Sequence, residues 1–445
     1  MRNFIIITTC LLCSIMCFVN CVGDNRIRVL GENSSNLQAM NSLKEVFEQQ
    51  NNIKIDFRPN TFEDTSIKAN QDFSNHSALY DIILQVNFSL SSFVGNNWVV
   101  PHKELINLLD PSKRESLSTL EQDIFEEAWK EVGYYSETGD LKDMKCIGYP
   151  FATNTMLLVY NKKMFSDEYY KNRYYDTYGE VLSTPDNWSW EQLRRAASIF
   201  TDKNKGDYGI CMQGDNAWLY YEYCVFLYGN GGKIFNKRYG WQGDETTEIL
   251  INNEDARLAT EFYLSMKPYN KGNFQDVGAE RQIELLKQGN VAMAIVWSDY
   301  LDCFKDEYDK FGFAPLPGGK SPLAGGCFYV NNDSHKKADA INYIFSLLQP
   351  DMQIKLAQKG LCSPFKSTYE DESVKRIPYS SALKKSLENG TYMFEASPEC
   401  VIVMDIIAKY ILRLWNGEID VEQALTQIYN EIKKERVAVY KKIKE

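Results

Sequence analysis

The stretch KQGNVAMAIVWSDYL, residues 287–301, decides the predicted fold. Its run VAMAIV, residues 291–296, is apolar without polar alternation, which is typical of a strand covered on both faces. The run stops at Trp297, and Ser298, Asp299 and Tyr300 follow it. Because ligands of open α/β sheets bind at the carboxyl ends of strands, we expect Trp297 to lie near a ligand.

Length and composition describe a soluble protein with more than one core. The chain has 445 residues, which favours two lobes over a single core. Hydrophobic residues make up 44% of the chain, charged residues make up 24%, and the formal net charge is −11. Such an acidic surface would repel phosphates, so a nucleic-acid partner is not expected.

Residues 1–20 are predicted to be an export signal. They hold one cation, Arg2, followed by an apolar stretch that is too short and too weakly flanked to be a membrane span. Cys21 is similar to the acylated cysteine of bacterial lipoproteins, although Asn20 stands where a small residue is usual. We expect an exported protein of the cell envelope, lipid-anchored to a membrane through Cys21. Plain secretion and a retained anchor helix are the alternatives.

Cysteine and histidine spacing does not indicate a metal centre. Beyond the leader and Cys21 the chain has seven cysteines, an odd number, and no pair has the spacing of a redox or metal site. We expect most of them to be small buried residues. The three histidines, His76, His102 and His335, are not at ligand spacing. A metal site is therefore not expected.

Strands and helices alternate along the first part of the chain. Short apolar strands are predicted at residues 27–31, 53–59 and 80–86, with an amphipathic helix after the first. Such βαβ units indicate a mainly parallel sheet. The segment IGYPFATNTMLLVYNKKMF, residues 147–165, is predicted to cross between lobes. Its first strand would end at Pro150, because proline cannot donate to a central ladder, and a polar step would follow.

A further helix is predicted from TPDNWSWEQLRRAASIF, residues 184–200. Its apolar face includes Leu193, Ala197 and Phe200, and Pro185 stands at its beginning. The two tryptophans of this segment, Trp188 and Trp190, are assigned to packing within a lobe.

Six segments resemble the family 1 extracellular solute-binding proteins, the sugar-capturing subunits of bacterial ABC importers. They are GYPFATNTMLLVYNKKMF, TPDNWSWEQL, LLKQGNVAMAIVW, FGFAPLPGG, AGGCFYVNNDSHKKADAINYIFSLLQPDMQIKLAQKG and WNGEIDVEQAL. Each segment alone is weakly specific. The six occur in the family's order and span nearly the whole mature chain.

The resemblance implies an α/β fold of the periplasmic-binding-protein type II. This is a two-lobed clamshell in which each lobe is a mainly parallel sheet flanked by helices. The first lobe would comprise residues 26–152 and 308–350, and the second would comprise residues 153–307 and 351–445. The resemblance also implies a monomer without a cofactor. It would capture a mono- or oligosaccharide between the lobes and deliver it to the permease subunits of an ABC transporter.

Candidate ligand contacts follow from the rule that loops at the carboxyl ends of strands converge on the cleft. Aromatic rings can stack on the apolar faces of a sugar, and short polar side chains can exchange hydrogen bonds with its hydroxyls. The resemblance also places Asn154 and Trp218 at the cleft. Core or turn packing is the alternative for the tryptophans, and helix capping is the alternative for Ser34. The candidate ligand-binding residues are Glu32, Asn33, Ser34, Gln85, Asn87, Phe88, Asn154, Trp218, Trp241 and Trp297.

Four other interpretations have less support. The segment APLPGGKS, residues 314–321, lacks the first glycine of a phosphate loop and has prolines where backbone amides are needed. Tyrosine doublets such as Tyr220–Tyr221 resemble the iron ligands of some clamshell proteins, but a chain with 28 tyrosines contains doublets by composition. A secreted glycoside hydrolase would need two carboxylates at catalytic separation, and no nucleophile motif supports an enzyme. A solute-sensing partner of a membrane receptor would keep the same fold and site.

Overall fold

The computed structural model describes residues 25–136, 144–236, 247–394 and 400–444. The predicted export signal, Cys21 and Trp241 lie outside these described residues. Among the described helices, none combines the length and the hydropathy that a membrane span needs.

Most strands of the described residues are short. In chain order they are β1 (Arg26–Glu32), β2 (Lys54–Asn60), β3 (Ile82–Val86), β4 (Tyr134–Tyr135), β5 (Lys145–Cys146), β6 (Pro150–Asn154), β7 (Met156–Asn161), β8 (Tyr208–Cys211), β9 (Val291–Trp297), β10 (Phe311–Ala314) and β11 (Ala324–Val330).

The α-helices of the same residues follow in chain order. They are α1 (Ser35–Asn51), α2 (Phe62–Ser74), α3 (Leu90–Gly95), α4 (His102–Asn107), α5 (Pro111–Glu121), α6 (Glu126–Gly133), α7 (Lys162–Ser166), α8 (Glu168–Tyr178), α9 (Trp190–Phe200), α10 (Leu219–Gly229), α11 (Glu254–Ser265), α12 (Ala279–Lys287), α13 (Lys337–Leu347), α14 (Pro350–Ala357), α15 (Glu372–Lys375), α16 (Ser380–Glu388), α17 (Cys400–Asn416) and α18 (Val421–Lys444).

The first sheet has five strands in the order β2-β1-β3-β11-β6. β1 pairs in parallel with β2 and with β3, as expected from two βαβ units whose helices are α1 and α2. β11 is antiparallel to both β3 and β6. The sheet and the helices packed on it are called the first lobe. Its parallel pairing is confined to the N-terminal strands.

The second sheet has four strands in the order β10-β7-β9-β8, and with its helices it forms the second lobe. β7 is antiparallel to both β10 and β9, and only β8 is parallel to β9. The α/β class with two sheets flanked by helices agrees with the prediction. The expectation of mainly parallel pairing is wrong for this sheet, because β7 enters it from the first lobe against the direction of the other three strands.

A single residue, Thr155, links β6 of the first sheet to β7 of the second. Pro150 begins β6 and does not end an earlier strand as predicted. Proline is tolerated there because β6 is an edge strand and Pro150 is its first residue. Thr155 N–H donates to Ser298 Oγ at 3.1 Å, and Ser298 N–H donates to Thr155 O at 2.8 Å. The crossing is therefore tied to the end of β9.

The lobe boundaries differ from those predicted. Residues 308–350 are predicted in the first lobe, but β10 pairs with β7 in the second sheet. The chain returns to the first sheet only at β11. Conversely, Met352 and Leu356 of α14 pack in the apolar core of the first lobe, although residues 351–445 are predicted in the second. Sequence periodicity identifies an apolar strand or helix face without showing which of two sheets it covers.

Strand β9 is buried along its whole length, which confirms the interpretation of its apolar run. Ile295 and Trp297 face a core formed with helices α9, α10, α11, α17 and α18, whereas Ala294 and Val296 face the core on the opposite side of the sheet. Helix α9 begins at a capping box formed by Ser189 and Gln192, and its predicted apolar face is fully buried. Trp188 and Trp190 pack in the same core, as predicted.

Most cysteines of the described residues are buried. Cys211, Cys224, Cys327, Cys362 and Cys400 are buried, Cys146 is partly buried and Cys303 is exposed. The interpretation of most cysteines as small buried residues is confirmed.

Candidate functional site

The carboxyl end of β9 lies between the two lobes. Trp297 stands opposite Met156 of β7 and is only 7% exposed. Its ring lies against Tyr221, with centroids 5.7 Å apart, and against Phe394, with centroids 5.8 Å apart. The indole Nε1 is buried and has no hydrogen-bond partner among the described residues. A buried donor without an acceptor is costly, so a molecule that accepted a hydrogen bond from this N–H would remove that cost.

An inner pocket of about 60 Å³ lies beside Trp297. Residues of both lobes line it, and most of its wall is aromatic. The lining residues are Glu32, Phe62, Val86, Phe88, Asn154, Trp218, Tyr221, Trp297, Asp299, Tyr300, Ala324, Gly325 and Phe394. A recess of about 30 Å³ shares Glu32, Phe62, Asn154 and Asp299 with this pocket.

An outer cleft of about 300 Å³ adjoins the inner pocket and shares Phe62 and Phe88 with it. The first lobe contributes residues from α2 and α3, and the second lobe contributes residues from the start of α10 and from α17. The remaining lining residues are Glu63, Ser66, Asn70, Ser89, Ser92, Asn216, Ala217, Tyr220, Val401, Met404 and Asp405. The two spaces together run along the boundary between the lobes.

Two carboxyl groups line the inner pocket at the carboxyl ends of strands. Glu32 ends β1, and Asp299 follows Trp297 in a short 3-10 helix. Burial raises the pKa of Glu32 to about 8, and the negative charge of Asp299 contributes to the rise. Burial raises the pKa of Asp299 to about 6, partly offset by hydrogen bonds that include one from Asn154. At neutral pH the two carboxyl groups therefore share about one proton.

Hydrogen bonds hold the polar side chains of the pocket in place. Asn36 Nδ2 donates to Asn154 Oδ1 at 3.1 Å, and Asn36 Oδ1 accepts from Cys362 N–H at 2.9 Å. This orientation leaves the Asn154 amide nitrogen to donate to Asp299. Tyr300 OH lies 3.4 Å from Glu32 Oε1 and donates to it. The polar groups are thus held in place before any solute arrives, as binding sites require.

The two lobes touch each other around the inner pocket. Ser35 Oγ of the first lobe donates to the Asp299 carbonyl oxygen at 2.7 Å. The rings of Phe62 and Trp218 face each other across the boundary with centroids 6.0 Å apart. A volume of about 60 Å³ is far below the ~300–1,000 Å³ of typical ligand pockets. A sugar-sized molecule therefore does not fit in the inner pocket with the lobes in this arrangement.

The structure brings together several of the candidates named from the sequence. Glu32, Phe88, Asn154, Trp218 and Trp297 line the inner pocket, and Ser34 and Gln85 line its recess. Gln85 already has protein partners, because its Nε2 donates to Ser66 Oγ at 2.7 Å and its Oε1 accepts from Val86 N–H. Ser34 occupies the N-cap position of α1 without a side-chain capping bond.

Three other candidates have different positions. Asn33 is exposed and accepts a hydrogen bond from Gln38, outside the lining of the pocket. Asn87 begins the short helix Asn87–Ser89 at the end of β3. Trp241 lies outside the described residues.

Sequence reasoning missed three aromatic residues and two polar residues of the pocket. Phe62 begins α2 after β2, Tyr221 lies on α10, and Phe394 follows α16. Asp299 and Tyr300 come two and three residues after Trp297, and their place after a buried strand is a signal that could have identified them. Phe394 has no comparable signal, because it reaches the pocket from a segment distant in sequence.

The structure also bears on the other interpretations. Within residues 25–136, 144–236, 247–394 and 400–444, no group of three or more acidic, histidine or cysteine side chains is placed to hold a metal ion. Of the tyrosine doublet on α10, Tyr221 lines the inner pocket and Tyr220 lines the outer cleft. In the segment that resembles a phosphate loop, Gly318 N–H donates to Trp188 O at 2.7 Å. That segment follows β10 and so belongs to the second sheet.

The sequence profile described as "Bacterial extracellular solute-binding protein" matches residues 42–379, which is most of the chain. The chain belongs to this family of solute-binding proteins. No curated protein matches the sequence.

Solved structures of other solute-binding proteins share the fold. An ABC transporter solute-binding protein from Agrobacterium radiobacter K84, in complex with ribitol, is 19% identical with a TM-score of 0.74 and covers 92% of this chain and 98% of its own. One from Thermotoga lettingae TMO, bound with α-D-tagatose, is 19% identical with a TM-score of 0.73 and the same coverage. Maltose-bound T. maritima MalE3 is 18% identical with a TM-score of 0.72, and the match covers 92% of this chain and 99% of MalE3. At this identity the likeness confirms the two-lobed fold of the binding protein.

The raised pKa of Glu32 predicts a pH dependence of stability. A carboxyl group whose pKa is higher in the folded state stabilises the fold below its unfolded pKa, and this contribution is lost as pH rises through the folded value. Glu32 faces Asp299, Tyr300, Glu63 and Glu280, and its pKa rises from 4.5 to about 8. We predict that the free energy of unfolding falls between pH 4.5 and 8, and that Glu32→Gln makes this fall shallower.

Urea unfolding at several pH values across this range measures the slope. Glu284→Gln is the matched control, because Glu284 is an exposed carboxylate paired with Arg281. An identical slope in wild type and Glu32→Gln would contradict the prediction.

Proposed function

We propose that this solute-binding protein captures a carbohydrate in the inner pocket and outer cleft and delivers it to an ABC transporter permease. The observation that carries the proposal is the aromatic wall of the inner pocket together with the buried, unpartnered indole N–H of Trp297. Sugars present apolar C–H faces that pack on aromatic rings and hydroxyls that accept and donate hydrogen bonds. Trp297 offers both kinds of contact in one side chain.

The solved relatives support the solute class. Those proteins have ribitol, α-D-tagatose and maltose bound, all of which are polyols or sugars. The outer cleft beside the inner pocket favours a solute longer than one sugar ring. An anionic solute is disfavoured, because the described residues that line the two spaces include no lysine, arginine or histidine.

Binding and transport follow from the contacts between the lobes. In the open protein a sugar packs against one lobe, and closure brings the aromatic rings of the other lobe onto it. The solute must bind the closed form more tightly than the open one, since equal affinity would shift no equilibrium. The permease then recognises the closed monomer, and no covalent step or cofactor is required. A solute-sensing receptor in place of the permease would use the same site.

We further propose that the chain is exported and lipid-anchored through Cys21 in the cell envelope. The support is the leader at residues 1–20 and the cysteine that follows it. Cys21→Ala is expected to move the protein from the membrane fraction to the soluble fraction without changing solute affinity. A soluble, unmodified wild-type protein in its native host would contradict the anchor.

A thermal-shift screen of residues 22–445 against neutral mono- and oligosaccharides tests the proposed function. At a concentration of 100 times its Kd, a ligand adds about 2.7 kcal/mol to the free energy of unfolding. We expect at least one saccharide to raise the Tm and to be recovered chemically unchanged. Recovery of cleaved saccharide would indicate a glycoside hydrolase. A panel without any stabilising saccharide would contradict carbohydrate capture.

Replacing Trp218 separates ligand contact from folding. Trp218 is half-buried at the pocket, so Trp218→Ala should weaken the affinity for the saccharide found in the screen by about 10- to 150-fold, the loss expected for a large apolar contact. Calorimetric titration measures this change. The control is Trp188→Ala, since Trp188 packs in the core of the second lobe.

The control variant should lose about 3–5 kcal/mol of unfolding free energy with little change in affinity. Unchanged affinity of Trp218→Ala would remove Trp218 from the site.

A further inference from the structure

The cleft between the lobes is negatively charged. Glu32 and Asp299 line the inner pocket, and Glu63 and Asp405 line the outer cleft. Among the described residues that line these spaces there is no basic side chain to balance them. A neutral sugar would bring hydroxyl groups to the carboxylates but would leave the excess charge in place.

Asp299 is the group that most needs a partner. Its side chain is 7% exposed, and its Oδ1 has no hydrogen-bond partner among the described residues. Asn154 donates to this carboxyl group, but an amide supplies no net charge. Burying a carboxylate without a counter-charge is expensive, and the cost falls when a cation binds beside it. Asp299 is one of the residues that line the inner pocket, together with Glu32.

The aromatic residues around the carboxyl groups also suit a cation. Trp218 lies 6.0 Å from Phe62 and 6.1 Å from Tyr300 between ring centroids, and Tyr221 lies 5.7 Å from Trp297. Ring faces carry partial negative charge and attract ammonium groups, most strongly for tryptophan and in sites removed from water. An ammonium group beside Glu32 and Asp299 would gain both the ring contacts and charge-assisted hydrogen bonds.

We propose that the solute is a cationic saccharide, an amino sugar whose protonated amine lies between Glu32 and Asp299 while its ring packs on the aromatic wall. This inference rests on the proposed function, because it specifies the class of carbohydrate bound at the same site. The pKa directions agree with it. Burial keeps a proton on the carboxyl pair in the absence of solute, and an ammonium group in the pocket would replace that proton.

Matched pairs of sugars that differ in one group test the proposal. The probes are glucosamine with glucose, galactosamine with galactose, and chitosan oligomers with cello-oligomers, at pH 7, where the amines carry a positive charge and the carboxyl pair keeps a negative one. N-acetylglucosamine keeps the nitrogen without the charge, and choline supplies the charge without the sugar. We expect one amino sugar to bind roughly 10- to 100-fold more tightly than its hydroxyl partner, as for a gained charge-assisted hydrogen bond.

Variants of the two carboxyl groups connect the preference to the site. Asp299→Asn and Glu32→Gln should each lower the ratio of the affinity for the amino sugar to the affinity for its neutral partner, whatever either change does to the affinity for sugars in general. Glu284→Gln, an exposed carboxylate on α12, should change neither affinity. If Asp299→Asn does not fold, Glu32→Gln alone carries the comparison.

The outcomes distinguish this inference from the proposed function. If neutral sugars bind as tightly as every amino partner, carbohydrate capture stands and the cationic solute is overturned. If choline binds and no saccharide does, carbohydrate capture and the amino-sugar proposal are both overturned. A panel in which no amino sugar binds more tightly than its partner also overturns the inference.

Discussion

One reciprocal pair of hydrogen bonds at the crossing between the lobes brings together Asn154, Trp297 and Asp299. Thr155 N–H donates to Ser298 Oγ, and Ser298 N–H donates to the Thr155 carbonyl oxygen. Both residues are almost fully buried, so neither bond competes with water. Because Thr155 alone separates β6 from β7, the pair holds the end of the first sheet against the end of β9. Asn154 on one side and Trp297 and Asp299 on the other are thereby brought to one pocket.

The chemistry of the pocket follows from this position. The carboxyl ends of β1, β6 and β9 meet where two lobes exclude water. Polar groups there lose hydrogen bonds to water, and hydrogen bonds to the protein replace only some of them. Trp297 Nε1 and Asp299 Oδ1 are left without partners among the described residues, and the pKa values of Glu32 and Asp299 rise. A solute that supplies the missing acceptor and donors stabilises the closed arrangement more than the open one. Capture and closure are then the same event.

The sequence predicted those parts of the molecule that depend on local pattern. The uniform apolar run of β9 identified a buried strand, and the rule for strand ends selected Trp297, which lines the inner pocket. Features that depend on the path of the chain between sheets were not predicted. β10 joined the second sheet instead of the first, and Pro150 began an edge strand. Phe62, Tyr221 and Phe394 reach the pocket from distant segments, and no local pattern marks a side chain that only the tertiary fold brings to a ligand.

The central claim is that a solute held between the lobes draws them together. Small-angle X-ray scattering of residues 22–445, with and without a saturating concentration of the saccharide that most raises the Tm, tests this directly. The account predicts a smaller radius of gyration with the solute, because closure buries the cleft and shortens the molecule across the lobes. Superimposable scattering profiles with and without bound solute would contradict it.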